Sequence, residues 1–218
     1  MTALVGSSGS GKSTVANLLR RFWDVSDGAV LVGGVDVRAL SFSTLMDQVS
    51  MVFQNVYLFN DTIANNIAMA KPDATEEEIV RAAKKARCYD FIMALPEGFQ
   101  TMVGEGGANL SGGEKQRISI ARSILKDAPI VILDEATASV DSDNERHIQE
   151  AIDALVRGKV LLVIAHRLRT IERADQILVL DDGHIVERGT HGQLLAQNGL
   201  YADLYRKTTG QTGGKEEK

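Results

Sequence analysis

The stretch that most constrains this chain is residues 6–14, which read GSSGSGKST and follow the apolar run Ala3, Leu4 and Val5. Its glycines allow consecutive backbone N–H groups to curl around an anion. A helix that begins at Lys12 would direct the positive end of its dipole toward the same anion. The order of strand, glycine-rich turn and helix therefore predicts a phosphate-binding loop.

The residue types suggest roles within this loop. Lys12 is placed to reach the β- and γ-phosphates of a nucleotide, and the Ser13 hydroxyl to bind Mg²⁺. A glycine- and serine-rich turn with a stray lysine is the structural alternative, but the four fixed positions match by chance in only roughly one such chain in a hundred. We therefore expect a nucleotide to be bound by Gly6, Ser7, Ser8, Gly9, Ser10, Gly11, Lys12, Ser13 and Thr14.

Composition narrows the class of protein. With 218 residues, of which 44% are hydrophobic, the chain can bury one sizeable core, and we expect a domain with a subdomain. The formal net charge of −5 argues against nucleic acid as a partner, because such binding needs a basic field. The one cysteine, Cys88, excludes an internal disulfide and suits a reducing compartment.

The sequence contains no apolar run of about 18 residues, and its first twenty residues are taken up by the loop and its helix. We therefore expect neither a transmembrane span nor a signal peptide in this sequence. A role at a membrane would have to come through a partner.

After a first helix over residues 12–22, the chain favours strands. Residues 29–32 and 35–37 flank Gly33 and Gly34, a turn signal that predicts a hairpin. A short helix over residues 44–47 and a strand over residues 49–53 follow. That strand ends at Gln54, and strand ends are where α/β proteins place ligand-facing residues.

From residue 57 to residue 98 the pattern favours helices instead, which suggests a helical insertion into the strand-rich domain. The second of these helices opens with the capping box Thr75 and Glu78, in which side chains satisfy unpaired backbone N–H groups. The expected helices cover residues 62–70, 75–87 and 89–95.

A flexible loop over residues 101–109 leads into the octapeptide LSGGEKQR at residues 110–117. Ser111 is expected to cap a helix that runs to about Lys126, with Glu114 at the capping-box position. The N-terminus of this helix predicts a second anion site, distinct from the phosphate-binding loop.

Two further strands end in polar residues. Residues 128–135 form an apolar run that finishes in Asp134 and Glu135, as expected of a buried parallel strand at an active site. Residues 160–165 form another, which ends at His166. Although a single histidine at a strand end is more often structural, its position one strand beyond the two carboxylates favours a functional role. The helix between these strands, over residues 143–156, is expected to open with a capping box of Ser142 and Glu145.

The last part of the chain predicts a hairpin around Asp182 and Gly183, flanked by residues 176–180 and 184–187. Helices are expected over residues 194–197 and 200–207. Residues 208–218 are polar and rich in glycine and charge, and predict a disordered tail.

Taken in order, these motifs resemble those of the nucleotide-binding domain of an ATP-binding cassette (ABC) transporter, from residue 1 to about residue 207. The Walker A motif corresponds to residues 6–13, the signature to residues 110–114 and Walker B to residues 130–134. The Q-loop glutamine, the D-loop aspartate and the switch histidine correspond to Gln54, Asp141 and His166.

The resemblance implies an α/β fold of the P-loop NTPase class, a RecA-like parallel sheet flanked by helices with an inserted α-helical signature subdomain. The ATP-binding core would comprise residues 1–56 and 127–207, the helical subdomain residues 57–126, and the tail residues 208–218. Residues 101–107 resemble the X-loop of exporters and residues 164–168 their switch region, so the resemblance favours an exporter over an importer.

The resemblance also implies the chemistry of ATP hydrolysis. Lys12 would neutralise the charge that spreads over the γ-phosphoryl oxygens, and Glu135 would act as general base on the attacking water. His166 would contact the γ-phosphate and hold Glu135 and the water in register. Mg²⁺ would be held by Ser13, Gln54 and, through water, Asp134.

A head-to-tail dimer is implied as well, because the signature lies too far along the fold to reach the nucleotide of its own loop. Ser111 and Gly113 would reach the γ-phosphate bound by an opposite cassette, identical or different, and Gly112 and Asp141 are also implied to bind the nucleotide. Partner transmembrane domains would place the chain on the cytoplasmic side of the inner cell membrane.

Two departures from the family pattern stand out. Glu114 replaces the commoner glutamine, and a glutamate still caps the helix. The strands that normally precede Walker A, and the aromatic residue there that stacks on adenine, are not in this sequence, so the chain would be a fragment of a longer polypeptide or a truncated cassette. We expect unpaired strand edges, exposed apolar surface, low stability and weakened ATP binding.

Two other functions are compatible with these motifs. A soluble ABC ATPase that acts on DNA or ribosomes would carry a coiled coil or a second cassette, and neither appears in this sequence. A nucleotide-gated module that does not hydrolyse ATP would show degenerate Walker B or switch residues, whereas Asp134, Glu135 and His166 are all present.

Overall fold

The computed structural model describes residues 1–53, 55–134, 142–165 and 171–209. These residues divide into two compact units. One consists of Met1–Leu45 together with the chain from Leu161 onward, and the other of Met46–Val160. Within the described ranges, every helix is too short or too polar to cross a lipid bilayer.

The first unit is built on a sheet of mainly parallel strands. Strand β1 (Thr2–Val5) pairs in parallel with β8 (Val160–Ile164) on one side and with β9 (Gln176–Asp181) on the other. Its last three residues are all buried, as expected of a strand covered on both faces. Strand β10 (His184–Gly189) pairs with β9 in the antiparallel direction, which confirms the predicted hairpin.

Helices near the end of the chain hold this sheet in place. Helices α8 (His191–Gln197) and α9 (Leu200–Thr209) contribute Leu194 and the fully buried Tyr201 to one apolar cluster. Strand β1 contributes Ala3 and Val5 to the same cluster. The strand that leads into the glycine-rich loop is therefore anchored by residues far away in the sequence.

Helix α1 (Lys12–Leu19) is shorter than the predicted range of residues 12–22. Arg21 adopts a left-handed φ of 54°, and the amides of Arg21 and Phe22 donate to the carbonyls of Leu18 and Asn17 at 3.0 and 2.9 Å. This is the Schellman arrangement that ends a helix, usually with glycine in the left-handed position. The sequence predicted a longer helix because the left-handed position is occupied by Arg21 rather than by the usual glycine.

The predicted glycine hairpin is confirmed by strands β2 (Leu31–Val32) and β3 (Val35–Asp36), with φ of 59° at Gly33 and 82° at Gly34. The second strand is shorter than predicted, because the Asp36 carboxylate caps a 3₁₀ turn over Val37–Ala39. Leu31 and Val35 of this hairpin are exposed.

Helix α2 (Phe42–Gln48) carries the chain from the first unit into the second. The second unit contains the predicted helices, with ends that differ by a few residues, and a two-stranded pair, β5 with β6, that the sequence did not predict. Its elements are β4 (Val49–Val52), β5 (Asp61–Thr62), α3 (Ile63–Ala68), α4 (Glu76–Lys85), α5 (Tyr89–Met93), β6 (Met102–Val103), α6 (Gly112–Lys126), β7 (Ile130–Asp134) and α7 (Ser142–Val156).

Two of the predicted capping boxes are confirmed and explain where α4 and α6 begin, whereas the box of Ser142 and Glu145 stays a prediction. Thr75 and Ser111 each accept from the backbone amide three residues on, and Glu78 and Glu114 close the boxes. The structure adds a capping box that sequence analysis missed, Thr190 with Gln193 at the start of α8. Helix α7 begins at Ser142 itself rather than one residue later.

Strands and helices are more closely integrated in the second unit than the predicted partition suggests. Strand β4 pairs in parallel with β7, and α6 packs against β4 as well as against α3, α4 and α7. The Lys126 ammonium at the end of α6 donates to the Val49 carbonyl at 2.8 Å. The partition at residues 56 and 127 stays a prediction. The predicted tail starts too early, because Thr208 and Thr209 are the last residues of α9, and the rest of it lies outside the described residues.

Candidate nucleotide-binding site

The glycine-rich loop joins β1 to α1, as predicted. A Cβ added to Gly6 would lie 2.2 Å from the Leu180 carbonyl oxygen and 2.5 Å from the Ser10 hydroxyl, so only glycine fits there. Gly9 and Gly11 have left-handed φ values of 81° and 104°, which other residues adopt at a cost. The loop therefore depends on its glycines for both space and backbone conformation.

The Lys12 ammonium lies inside the curve of the loop. Its Nζ donates to the carbonyls of Gly6 at 2.9 Å and Ser7 at 2.7 Å, and to the Ser10 hydroxyl at 3.2 Å. Lys12 is only 5% exposed, which is rare for a lysine and needs such partners. The loop therefore holds a positive charge at its centre.

The exposed side of the loop fits a phosphate chain. Gly11, the N-cap of α1, has no side chain that could cap the helix, and the first turn of α1 carries no carboxylate. The first backbone N–H groups of a helix have no intrahelical acceptor, and they carry the positive end of its dipole. Ser7, Ser8 and Ser13 are exposed on this side, so their polar groups are open to a ligand.

The turn between β9 and β10 packs against the glycine-rich loop, a contact that the sequence did not predict. The Gly183 amide donates to the Ser10 carbonyl at 3.1 Å, and a Cβ at Gly11 would lie 3.5 Å from the Gly183 Cα. Ser10 and Gly183, which are 173 positions apart in sequence, are thus in contact, and no local pattern could have revealed this contact.

Asp134 is the last residue of β7, in the second unit. Val52 of β4 pairs with Leu133, so these two parallel strands end at the same edge of their sheet. Hydroxyl, amide and carboxylate oxygens are the donors that Mg²⁺ prefers, and Ser13, Gln54 and Asp134 offer these three groups. The donor set fits the ion, and the assignment stays a prediction.

The signature turn is a second well-defined feature of the second unit. The Ser111 hydroxyl accepts from the Glu114 amide at 3.3 Å, and the Glu114 carboxylate accepts from the Ser111 amide and hydroxyl, both at 2.8 Å. Ser111 and Gly112 are exposed, whereas Gly113 is buried. The predicted helix cap is confirmed, and the role of these residues at a nucleotide is not tested by it.

Four predicted site residues, Gln54, Glu135, Asp141 and His166, lie outside the described residues. The neighbouring described residues still fix where the chain leaves the sheet. The Ala165 amide donates to the Leu4 carbonyl at 3.0 Å, and Leu4 is opposite Ile164. The chain therefore leaves β8 at the same edge of the sheet from which β1 enters the glycine-rich loop.

Comparison with known proteins agrees with this geometry. Residues 1–138 match the family model described as ABC transporter. Two curated relatives are ATP-dependent lipid A-core flippases, from Vibrio vulnificus (strain CMCP6), 56% identical over 210 residues, and from Salmonella typhimurium, 54% identical over 210 residues. Each alignment covers 96% of this chain, and the chain spans about 36% of the length of these relatives.

A solved structure is similar along nearly the whole chain. It is a bacterial Atm1-family ABC exporter with ATP bound, with a TM-score of 0.89 and 44% sequence identity, covering 99% of this chain and 37% of the exporter chain. The predicted fold class, an α/β fold of the P-loop NTPase type, is thereby confirmed. The chain belongs to the ABC transporter family.

Proposed function

We propose that this chain is the nucleotide-binding cassette of an ABC exporter, which binds ATP with Mg²⁺ and hydrolyses it to ADP and phosphate. The observation that carries the proposal is the loop of residues 6–14, whose glycines surround the buried Lys12 ammonium and whose helix presents its amides to an anion. The similarity to a solved exporter with ATP bound supports the choice of nucleotide.

The glycine-rich loop would position the phosphates and neutralise most of their charge. Phosphoryl transfer has a loose transition state with charge spread over the γ-phosphoryl oxygens, so the protein mainly positions and neutralises. Lys12 and the amides of the loop supply that neutralisation. Mg²⁺, when bound, adds positive charge beside the phosphate oxygens, and Ser13, Gln54 and Asp134 would hold it.

Glu135 and His166 are proposed to act on the attacking water. Glu135 would accept a proton from the water, an effect typically worth ~10² to 10⁴ in rate. His166 would contact the γ-phosphate and keep Glu135 and the water in register. In the sequence Glu135 directly follows β7 and His166 comes two residues after the end of β8, and strand ends are where parallel sheets present ligands, which supports both roles.

The active unit is proposed to be a head-to-tail dimer of cassettes. Ser111, Gly112 and Gly113 would contact the γ-phosphate bound by the partner cassette, and Asp141 would lie at the same interface. ADP lacks the group that both cassettes grip, so hydrolysis would loosen the dimer.

Export itself is proposed of a larger assembly. Transmembrane domains, on the same polypeptide or on another, would use opening and closing of the dimer to move a substrate, and the chain would lie on the cytoplasmic side of the inner membrane. The similarity covers about 36% of the flippases' length, so the proposal does not extend to their lipid substrate.

Release of phosphate from Mg²⁺-ATP tests the proposal, with ATP binding measured in parallel. We expect turnover in the wild-type protein, loss of binding and turnover in Lys12→Ala, and retained binding with nearly abolished turnover in Glu135→Gln. Lys207→Ala, which removes an exposed lysine of α9, is the matched control and should behave as wild type.

Two results would contradict the proposal in different ways. Wild-type turnover in Glu135→Gln would remove Glu135 from the role of base. Tight ATP binding without any phosphate release by the wild-type protein would instead favour a nucleotide-gated module.

A further inference from the structure

The first turn of the signature helix α6 packs closely on helix α7. A Cβ added to Gly113 would lie 2.7 Å from Cγ of Asn144 and 2.9 Å from its Cβ and Oδ1. Carbon atoms do not approach so closely without displacing one another. At Gly112, an added Cβ would meet no atom of the described chain within 4 Å. Within the described residues, packing therefore requires glycine at Gly113 but not at Gly112.

Arg117, one turn further along α6, fixes the orientation of the Asn144 side chain. Its guanidinium donates to Oδ1 of Asn144 and lies 5.1 Å from the centre of the Phe91 ring. Arginine can only donate, so the amide atom that faces it must be the oxygen. Arg117 is 5% exposed, and a buried cation is costly unless acceptors surround it. The contact between α6 and α7 thus combines close packing at Gly113 with a hydrogen bond from Arg117.

Asn144 lies in the first turn of α7, so its contact with α6 joins the starts of two helices. Helix α7 begins at Ser142, directly after the segment that carries Glu135 and Asp141 in the sequence. Helix α6 begins at the signature turn capped by Ser111. Asn144 therefore holds the start of one helix against the start of the other.

We infer that Asn144 is a positioning residue that makes the signature turn and the start of α7 move as one body. The inference rests on the proposed function. In a head-to-tail dimer, a shift of the signature turn toward the partner's nucleotide would be passed through Gly113, Asn144 and Arg117 to the start of α7. Gly113 would then couple α6 to α7 within its own chain, in addition to any contact that it makes with the nucleotide.

A double-mutant cycle on stability tests the contact without any nucleotide. Gly113→Ala should lower the folding equilibrium constant about tenfold, because it overpacks the site. Asn144→Gly removes the obstacle but also costs Arg117 an acceptor, so in urea unfolding Gly113→Ala should cost much less in the Asn144→Gly background than in the wild-type protein. Gly112→Ala combined with Asn144→Gly is the matched comparison, and these two effects should simply add. Additive effects in both pairs would overturn the packing argument.

Steady-state kinetics test the positioning role. Asn144→Asp keeps an oxygen acceptor for Arg117, whereas Asn144→Leu has the same branching and number of side-chain heavy atoms but no acceptor. We expect Asn144→Leu to lower kcat about tenfold with little change in KM for ATP, and Asn144→Asp to stay near wild type. Wild-type kcat in both variants would show that Asn144 does not influence turnover and would overturn the positioning role.

The two measurements separate the inference from the function on which it rests. If the wild-type protein releases no phosphate, the proposed function fails and the positioning role fails with it, while the stability cycle still decides whether Gly113 and Asn144 are coupled. If turnover is normal and the cycle is additive, the function stands and the inference is wrong.

Discussion

Replacing Gly6 by alanine should destabilise the protein and distort the loop, because the space for a methyl group is absent. The added Cβ would lie 2.2 Å from the Leu180 carbonyl oxygen and 2.5 Å from the Ser10 hydroxyl. Ordinary carbon–oxygen contacts begin at about 3.3 Å, so one group must move by about 1 Å. Leu180 belongs to β9, which is held by β1 on one side and by β10 on the other, and its carbonyl cannot move cheaply.

Ser10 is the softer neighbour, and its displacement has a chemical consequence. Its hydroxyl accepts from the Lys12 ammonium at 3.2 Å, so moving it removes one of the partners of a buried charge. Overpacking typically costs about 1–3 kcal/mol, and weakening a hydrogen bond to a charged group about 1.5–3 kcal/mol. Since the two costs are alternatives rather than a sum, we expect Gly6→Ala to lower the free energy of unfolding by about 2 kcal/mol.

Urea unfolding followed by circular dichroism measures this change, and titration with a fluorescent ATP analogue measures its effect on the loop. Gly192→Ala is the matched control, because a Cβ there meets no atom of the described chain within 4 Å and the residue lies in α8. Alanine is the better helix former, so this control should be neutral or slightly stabilising. An unfolding midpoint for Gly6→Ala at or above that of wild type would refute the reasoning.

Two further predictions follow from other contacts, in both units. The Glu187 carboxylate accepts from the amides of Leu200 at 2.5 Å and Tyr201 at 3.1 Å and so caps α9. Glu187→Ala should lower the free energy of unfolding by about 1–2 kcal/mol, and Glu187→Gln by less. Equal melting temperatures of the two variants would contradict this prediction. Burial raises the pKa of the Cys88 thiol, in the second unit, to about 12 from 9.0, and that of the Tyr201 phenol in the first to about 12 from 10.0. Because the folded state keeps these protons longer, the stabilisation is complete below pH 9 and is lost as the pH rises toward 12. The free energy of unfolding should therefore fall over this range, and less steeply in Cys88→Ala; identical slopes in the two proteins would show that Cys88 is not responsible.

Much of the candidate site could be predicted from sequence because its features are local. The glycine-rich loop, the cap of Ser111 by Glu114 and the turn at Gly33 and Gly34 each depend on residues within a few positions of one another. Such short-range hydrogen bonds and backbone conformations form wherever the right residue types occur at the right spacing. The strands β1, β7 and β8 could likewise be predicted, because each is a continuous apolar run in the sequence.

What the sequence could not show are contacts between distant residues. Gly6 must be glycine because of Leu180, and Gly113 because of Asn144, although either glycine reads in the sequence simply as part of a phosphate-binding motif. Glu187 caps a helix that begins 13 residues later, and Arg21 takes a position that favours glycine. These choices depend on which surfaces meet when the chain folds, and tertiary packing overrides local preference there.

The sequence alone thus determined the chemistry of this protein: the types and spacing of the residues that would hold a nucleotide, and the family they resemble. Only the tertiary structure decided which glycines are needed for space, how Lys12 is buried, and how the signature helix is fastened to α7. The division has a physical reason, since motif chemistry is set by neighbours along the chain, whereas close packing is set by neighbours in space.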